Sequence, residues 1–213
     1  MRHFFGCVVA AVAMLSSPAR ADTPASDVRA DDTAQRHRGF FLRLDLGAGY
    51  QGSSSTLSAT DVSISGMSGA FGIALGGAVS DGVILGAHLF DVVASSPTVQ
   101  AGSQSATASN AQLALLCFGP NATFYVMPAN VYFSITVGVA VLTASRNGTT
   151  NNTQTGVGGR LQLGKEWWAS EHWGLGLAAH LTLARNDDTS SSGATPPTWT
   201  TVAGGVLFSA TFN

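Results

Sequence analysis

The 213-residue chain is poor in charge, since 10 Lys and Arg against 12 Asp and Glu give a formal net charge of −2. Charged residues make up 10% of the chain, well below the roughly 25% of an average soluble domain. No run reaches the ~18 apolar residues of a membrane-spanning helix, and no basic patch indicates a nucleic-acid partner. The 45% of hydrophobic residues are spread along the chain, which favours strands with one lipid-facing side.

The N-terminus has the pattern of a secretory signal. Arg2 and His3 precede an apolar run over residues 4–15, and an A-x-A cleavage pattern follows at residues 19–21. Because this apolar run is too short to cross a bilayer, we predict a signal peptide over residues 1–21. Residues 22–38 are polar and lack periodicity, which predicts a flexible periplasmic lead-in.

The remainder of the chain alternates apolar residues with small or polar ones, the period-two pattern of a strand between two environments. In the last such segment, Val206 and Phe208 share one face and Ser209 lies on the other. Pro120 has no N–H for a ladder hydrogen bond, so we expect a bulge or local break beside it. The predicted strands are residues 39–50, 66–79, 83–94, 110–126, 131–143, 156–168, 173–184 and 198–213.

The connections between these segments alternate in length. Residues 80–82, 127–130 and 169–172 form short turns, whereas the other connections are long and polar: 51–65, 95–109, 144–155 and 185–197. Short periplasmic turns and long outer loops are typical of outer-membrane barrels, and hydrocarbon leaves no backbone group unpaired, so the last strand must pair with the first. The sequence predicts an all-β fold, an eight-stranded antiparallel up-and-down transmembrane β-barrel over residues 39–213.

The pattern, the topology and the aromatic C-terminal strand resemble the small eight-stranded outer-membrane barrels of Gram-negative bacteria, the OmpA/OmpX-like family. Residues 119–133 and the run G-K-E-W-W at 164–168 also look like segments of such barrels. The resemblance implies a location in the cell outer membrane, with lipid and lipopolysaccharide around the barrel. It also implies that the barrel-assembly machinery reads the closing strand through Phe208 and Phe212. Asn213 departs from the family, in which the aromatic residue is commonly terminal.

Six ionisable residues are predicted to face the barrel interior: Arg43, Asp45, His88, Arg160, Glu166 and His180. Side chains just fill the interior of an eight-stranded barrel, so we expect pairing of Arg43 or Arg160 with Asp45 or Glu166. Such a network is a structural plug, and the alternative is a narrow gated ion path. Cys117 is the one cysteine after the predicted signal peptide, so no disulfide is expected within the barrel.

The triplet His180-Leu181-Thr182 is similar to the His-x-Ser motif of an outer-membrane lipid A deacylase family. Here the third residue is Thr, both polar side chains are predicted to face inward, and no third member is identifiable. We therefore expect a protein that is not an enzyme and that holds no cofactor or metal.

The four long loops are rich in Ser, Thr, Asn and Gly, and the favoured function is a monomeric outer-membrane barrel with a structural or surface-interaction role. The alternatives are a narrow channel, a lipid A-modifying enzyme, and a soluble lipocalin-like barrel with the reverse distribution of apolar residues.

Overall fold

The computed structural model describes residues 37–57, 60–189 and 196–213, so the predicted signal peptide and most of the predicted lead-in lie outside the described residues. No helix in the described part of the chain has the length and apolar character needed to cross a membrane. The strands are β1 (Phe40–Leu57), β2 (Thr60–Ser80), β3 (Val83–Ser95), β4 (Thr98–Ala101), β5 (Gln104–Thr107), β6 (Ala111–Val126), β7 (Val131–Arg146), β8 (Thr149–Asn152), β9 (Gly156–Trp168), β10 (Trp173–Asp187) and β11 (Thr198–Phe212).

Eight long strands form a closed antiparallel barrel, and β4, β5 and β8 are short additions to it. Each long strand pairs with its neighbours in the chain, and β11 returns to β1 with a register that runs from Leu42–Phe212 to Ser54–Thr200. The predicted fold is confirmed, and its closure leaves no sheet edge within the barrel wall. We call the end with the short turns the turn end, and the opposite end the loop end.

The strands themselves extend further toward the loop end than predicted. The sequence predicted a loop over residues 51–65, but β1 continues to Leu57 and β2 begins at Thr60. Thr56 donates to the Asp61 carboxylate over 2.8 Å, and Tyr50 donates to Ser65 over 2.9 Å. This prediction was wrong because both faces of the extension are polar, so the ladder continues without any alternation in the sequence.

Two other predicted loops also contain strands. Residues 95–109 fold into the β4–β5 hairpin, which pairs with β2 at residues 62–65. Residues 144–155 contain the end of β7 and the short β8 that pairs with it. Gly102 and Gly148 take positive φ in these hairpin turns, at 57° and 85°, which glycine adopts without steric cost. The loop end therefore carries short β-hairpins above the barrel.

The expected irregularity at Pro120 is a local break and not a bulge. The β6–β7 pairs skip Gly119 and Pro120, yet the register is unchanged from Phe118–Val139 to Asn121–Thr136. A Cβ on Gly119 or Gly138 would collide with the backbone of the facing strand. Glycine on both strands thus permits a close backbone approach, typical of a sharply curved small barrel. The one register shift among the described strand pairs lies between Ala78 and Ser80.

The barrel is polar inside and apolar outside. β10 alternates strictly between exposed and buried residues, with leucines outward and His180 and Thr182 inward. Arg43 and Arg160 are the two largest fully buried side chains, whereas Leu46, Phe118 and Val206 are more than half exposed. A cluster of apolar side chains, which we call the upper cluster, closes the lumen near the loop end. Its largest members are Phe90, Leu113, Leu115 and Leu142.

Candidate functional site

The structure places all six ionisable residues predicted to face inward within the lumen, each 6% exposed or less. They do not form a single cluster. Arg43, Asp45 and His88 lie together at mid-height, Glu166 lies near the turn end, and Arg160 and His180 lie near the upper cluster. Three groups of contacts therefore fill the lumen, and β9 contributes a residue to each of them.

The mid-height group is organised by Arg43 on β1. Its Nη2 donates to Gln162 Oε1 over 2.6 Å and to Ser134 Oγ over 3.1 Å, and its Nε lies 3.5 Å from Asp45 Oδ2. Gln162 returns a hydrogen bond of 3.0 Å from its Nε2 to the Asp45 carboxylate. These contacts tie β1 to β7 and β9 across the interior, and Arg43 with Asp45 is one of the pairings that the sequence suggested.

His88 on β3 extends this group to the opposite wall. Its Nε2 lies 3.7 Å from Asp45 Oδ2, and its Nδ1 lies 2.9 Å from Thr136 Oγ1. A Cβ on Gly72 of β2, which pairs with Phe90, would lie 2.8 Å from His88 Nε2. A residue larger than glycine on β2 would therefore displace the imidazole from the carboxylate.

The turn end is closed by a second group around Glu166. Thr211 donates to its carboxylate over 2.7 Å, and the Tyr125 hydroxyl lies 3.2 Å from both carboxylate oxygens. Neither arginine lies within ion-pair distance of Glu166 among the described residues. The carboxylate is held by hydroxyl groups, so the suggested pairing of an arginine with Glu166 is wrong.

His37 lies under this group and was missed by the sequence analysis. Its ring stacks on Tyr125 with centroids 3.6 Å apart, and its two nitrogens lie 2.8 Å from Asn130 Oδ1 and 2.9 Å from Asn213 Oδ1. We call these four residues the His37 clasp. The predicted flexible lead-in of residues 22–38 is therefore wrong at residue 37, which is 1% exposed. A single histidine in a polar segment has no periodicity that would predict this burial.

The third group surrounds Arg160 on β9. Its guanidinium carbon lies 3.9 Å from the centroid of the Phe90 ring, and its Nε donates to Thr182 Oγ1 over 3.0 Å. Thr182 Oγ1 in turn lies 3.5 Å from His180 Nδ1. The Thr182 hydroxyl is fully buried and faces the lumen. No cluster of three His, Cys, Asp or Glu residues suited to a metal ion occurs among residues 37–57, 60–189 and 196–213.

The outer surface of the barrel decides its environment. Large apolar side chains cover it from one end of the wall to the other, including Leu46, Phe71, Leu177 and Val206. Aromatic side chains lie near the strand ends, as in the girdles that meet the two membrane interfaces; they include Phe40, Tyr50, Trp167, Trp173 and Phe212. This exterior surrounds a lumen with buried arginines and no open edge.

The chain is a transmembrane β-barrel of the outer-membrane type. Only hydrocarbon stabilises so apolar an exterior, and only closure satisfies the backbone groups within it. The soluble lipocalin-like alternative required apolar residues inside and polar residues outside, so the observed distribution overturns it. The cell outer membrane is the location of barrels with this architecture.

Several solved structures are similar to this outer-membrane barrel in fold. Neisserial surface protein A (NspA) shares 14% sequence identity over 79% of this chain and 96% of its own, with a TM-score of 0.45. OprG from Pseudomonas aeruginosa shares 14% sequence identity over 84% of this chain and 99% of its own, with a TM-score of 0.44. AlkL in lipid bilayers shares 15% sequence identity over 91% of this chain and 96% of its own, with a TM-score of 0.49. Neither a protein-family model nor a curated protein sequence matches the chain.

The two residues predicted to carry the assembly signal lie on the outside of the closing strand of the outer-membrane barrel. Phe208 is 50% exposed. The Phe212 ring contacts the Trp173 ring edge-on, with centroids 5.4 Å apart, and lies 6.4 Å from the Phe40 ring. Phe212 thus forms part of the aromatic girdle at the turn end, and its role in assembly stays a prediction.

Proposed function

We propose that this protein is a closed, non-conducting outer-membrane barrel that contacts partners outside the cell through its loop end. The observation that carries the proposal is the set of hydrogen bonds from Arg43 to Ser134 and Gln162, which crosses the lumen at mid-height. The His37 clasp lies below this crossing and the upper cluster lies above it. A lumen filled at three levels supports a structural plug over the alternative of an ion path.

The loop end supplies the surface for contact. β1 and β2 continue above the apolar exterior, and the β4–β5 hairpin adds a further pair of strands beside them. β5 pairs with β4 alone among the described strands, and all four of its residues are exposed. An exposed strand edge and a surface of hydroxyl and amide groups favour a neutral polar partner bound by hydrogen bonds.

Planar-bilayer recording tests the plug. We expect the purified protein to give no single-channel steps, because no layer of the lumen is open. The double variant Arg43→Ala/Gln162→Ala removes the mid-height crossing and serves as the comparison, and Arg146→Ala, exposed at the loop end, is the matched control. Regular conductance steps from the unaltered protein would replace the plug with the channel as the favoured function.

Cell binding tests the contact surface. Replacement of residues 98–107 by a short glycine turn removes the β4–β5 hairpin but leaves every barrel strand in place. We expect cells that display this variant to bind immobilised glycans or cell-surface proteins less than cells that display the unaltered barrel. Equal binding by cells with and without the barrel, across a broad panel, would count against a surface-interaction role.

We further propose that the barrel is a monomer without enzymatic activity. The buried position of Thr182 and its hydrogen bond from Arg160 support a packing role for His180 and Thr182. Lipid A mass spectra from overexpressing cells should match those of control cells, and a lost acyl chain would identify an enzyme.

We also propose that the barrel-assembly machinery inserts the protein by recognition of its closing strand. The outward aromatic side chains Phe208 and Phe212 support this step. Outer-membrane fractionation of cells that express the Phe212→Ala variant tests this step.

A further inference from the structure

Arg160 is a buried cation whose hydrogen-bonding capacity is only partly used. The side chain is 1% exposed, and its Nε donates to Thr182, but neither Nη1 nor Nη2 has a hydrogen-bond partner among the described residues. A guanidinium carries five N–H donors in a fixed fork, so most of them point into the lumen without a protein acceptor. Buried donors without acceptors are rare in native proteins and indicate a bound ion or water.

The carboxylates near Arg160 do not pair with it directly. Asp45 is already engaged by Arg43 at 3.5 Å and by Gln162 at 3.0 Å. The partly buried Asp91, next to Phe90 on β3, interacts with Arg160 only through its charge. Glu166 is held at the turn end by Tyr125 and Thr211. No ion pair to Arg160 occurs within 4.0 Å in the described ranges. These carboxylates therefore leave Nη1 and Nη2 of Arg160 without a direct acceptor.

The surroundings of the guanidinium are suited to a small anion. Phe90 covers one side of it at 3.9 Å, which leaves the edge that carries Nη1 and Nη2 as the direction for further contacts. His180 lies beside the same Thr182 hydroxyl, and its Nε2 also has no partner among the described residues. The neighbouring inward positions are small: Cys117, Ala140, Gly158 and Ala184. A desolvated monovalent anion needs N–H donors, and Nη1 and Nη2 of Arg160 supply them.

We propose that Arg160 binds a small inorganic anion of the halide class within the lumen, through Nη1 and Nη2. The anion neutralises the guanidinium and fixes it against Phe90 and Thr182, below the upper cluster. This site goes beyond the proposed plug and surface role, because the plug leaves Nη1 and Nη2 of Arg160 without acceptors.

Bromide provides a direct test, since its anomalous scattering distinguishes it from water. The full barrel is crystallised from detergent in sodium bromide, and data are collected at the bromine absorption edge. We expect an anomalous peak within hydrogen-bond distance of Arg160 Nη1 or Nη2. Density at this place without anomalous signal would identify water and overturn the proposal.

Thermal unfolding in detergent tests the same site in solution and requires no crystal. Chloride or bromide replaces gluconate at constant ionic strength, and the midpoint should rise saturably, by about 3–6 °C at a tenfold excess over the dissociation constant. Arg160→Met removes the donors and should abolish this rise, whereas Arg146→Met, at an exposed position, should retain it. A halide response that is linear, or equal in both variants, would reflect a general salt effect and exclude the site. If Arg160→Met fails to fold, the anomalous map of the unaltered barrel still decides.

Discussion

His37 stacks on Tyr125 with ring centroids 3.6 Å apart, at an interplanar angle of 22°. The two residues come from the segment before β1 and from the end of β6, so the stack joins that segment to the barrel wall. Two asparagines hold the imidazole in place, one in the turn after β6 and one at the C-terminus. Asn213 follows β11 directly, so the clasp links the segment before β1 to the end of the closing strand.

The first prediction concerns His37→Ala. The change removes a stacked pair and two hydrogen bonds, which together contribute about 2–3 kcal/mol to the free energy of unfolding. We expect the thermal midpoint in detergent to fall by several degrees while the strand content stays the same. Arg38→Ala is the matched control, since its ion pair with Asp81 lies on the surface with 67% and 62% of the side chains exposed. Equal midpoints for the two variants would contradict a role for the clasp.

The second prediction concerns the coupling of His37 with Asn213. Because the two side chains are hydrogen-bonded, the destabilisation from His37→Ala and from Asn213→Ala should not be additive. A double-mutant cycle should give a coupling free energy of about 1 kcal/mol, within the range for residues in direct contact. Urea unfolding of the four proteins measures it, and strictly additive effects would show that the bond does not stabilise the barrel.

The third prediction separates stability from assembly at the end of β11. From the sequence, deletion of Asn213 should leave assembly intact, whereas Phe212→Ala should impair it. We keep both expectations, and the clasp adds that the barrel without Asn213 should unfold at a lower temperature. Outer-membrane fractionation with heat-modifiable gel migration reports assembly, and thermal unfolding reports stability. Normal insertion of Phe212→Ala would show that the machinery does not read this residue.

The fourth prediction concerns the buried pair of Arg43 and Asp45. Removal of one partner leaves an uncompensated charge in the lumen, so Arg43→Met should lower the free energy of unfolding by about 3–5 kcal/mol. The double variant Arg43→Met/Asp45→Leu removes both charges and should recover a large part of this loss. Arg146→Met changes an exposed residue and should stay within about 0.5 kcal/mol. A double variant no more stable than Arg43→Met would show that charge pairing is not the main contribution of Arg43.

The fifth prediction concerns the close approach of β6 and β7. A Cβ on Gly138 would collide with the Phe118 carbonyl and with Gly119, so Gly138→Ala should separate the strands and reduce the yield of folded barrel. Gly69→Ala is the matched control, because its Cβ would meet nothing nearer than the Gly47 carbonyl at 4.0 Å. Refolding yields followed by heat-modifiable migration compare the two. Equal yields would indicate that the backbone relaxes to accept a methyl group there.

The sequence predicted the barrel because alternate residues of each strand face lipid and the lumen, so apolar residues alternate with polar or small ones. β9 begins at Gly156 and ends at Trp168, as predicted, since Leu161 and Leu163 alternate with Arg160 and Gln162 within it. The extensions of β1 and β2 were not predictable in this way, because both of their faces carry polar residues. The six inward charges were also predictable, and Arg43 with Asp45 was among the suggested pairs, but their other partners were not predictable. A contact such as Arg160 with Phe90 joins strands on different sides of the lumen, and its geometry depends on the tilt and stagger of the closed barrel.

The bond between His37 and Asn213 has a consequence for how the chain could be rearranged. The side chains of His37 and Asn213 meet at 2.9 Å, so the two segments lie close enough for a short linker to join them. The chain could then be opened at Gly102 or Gly148, in the exposed hairpin turns of the loop end. Such a circular permutant would keep every barrel strand and present both new termini at the loop end, where a tag or binding domain could be attached.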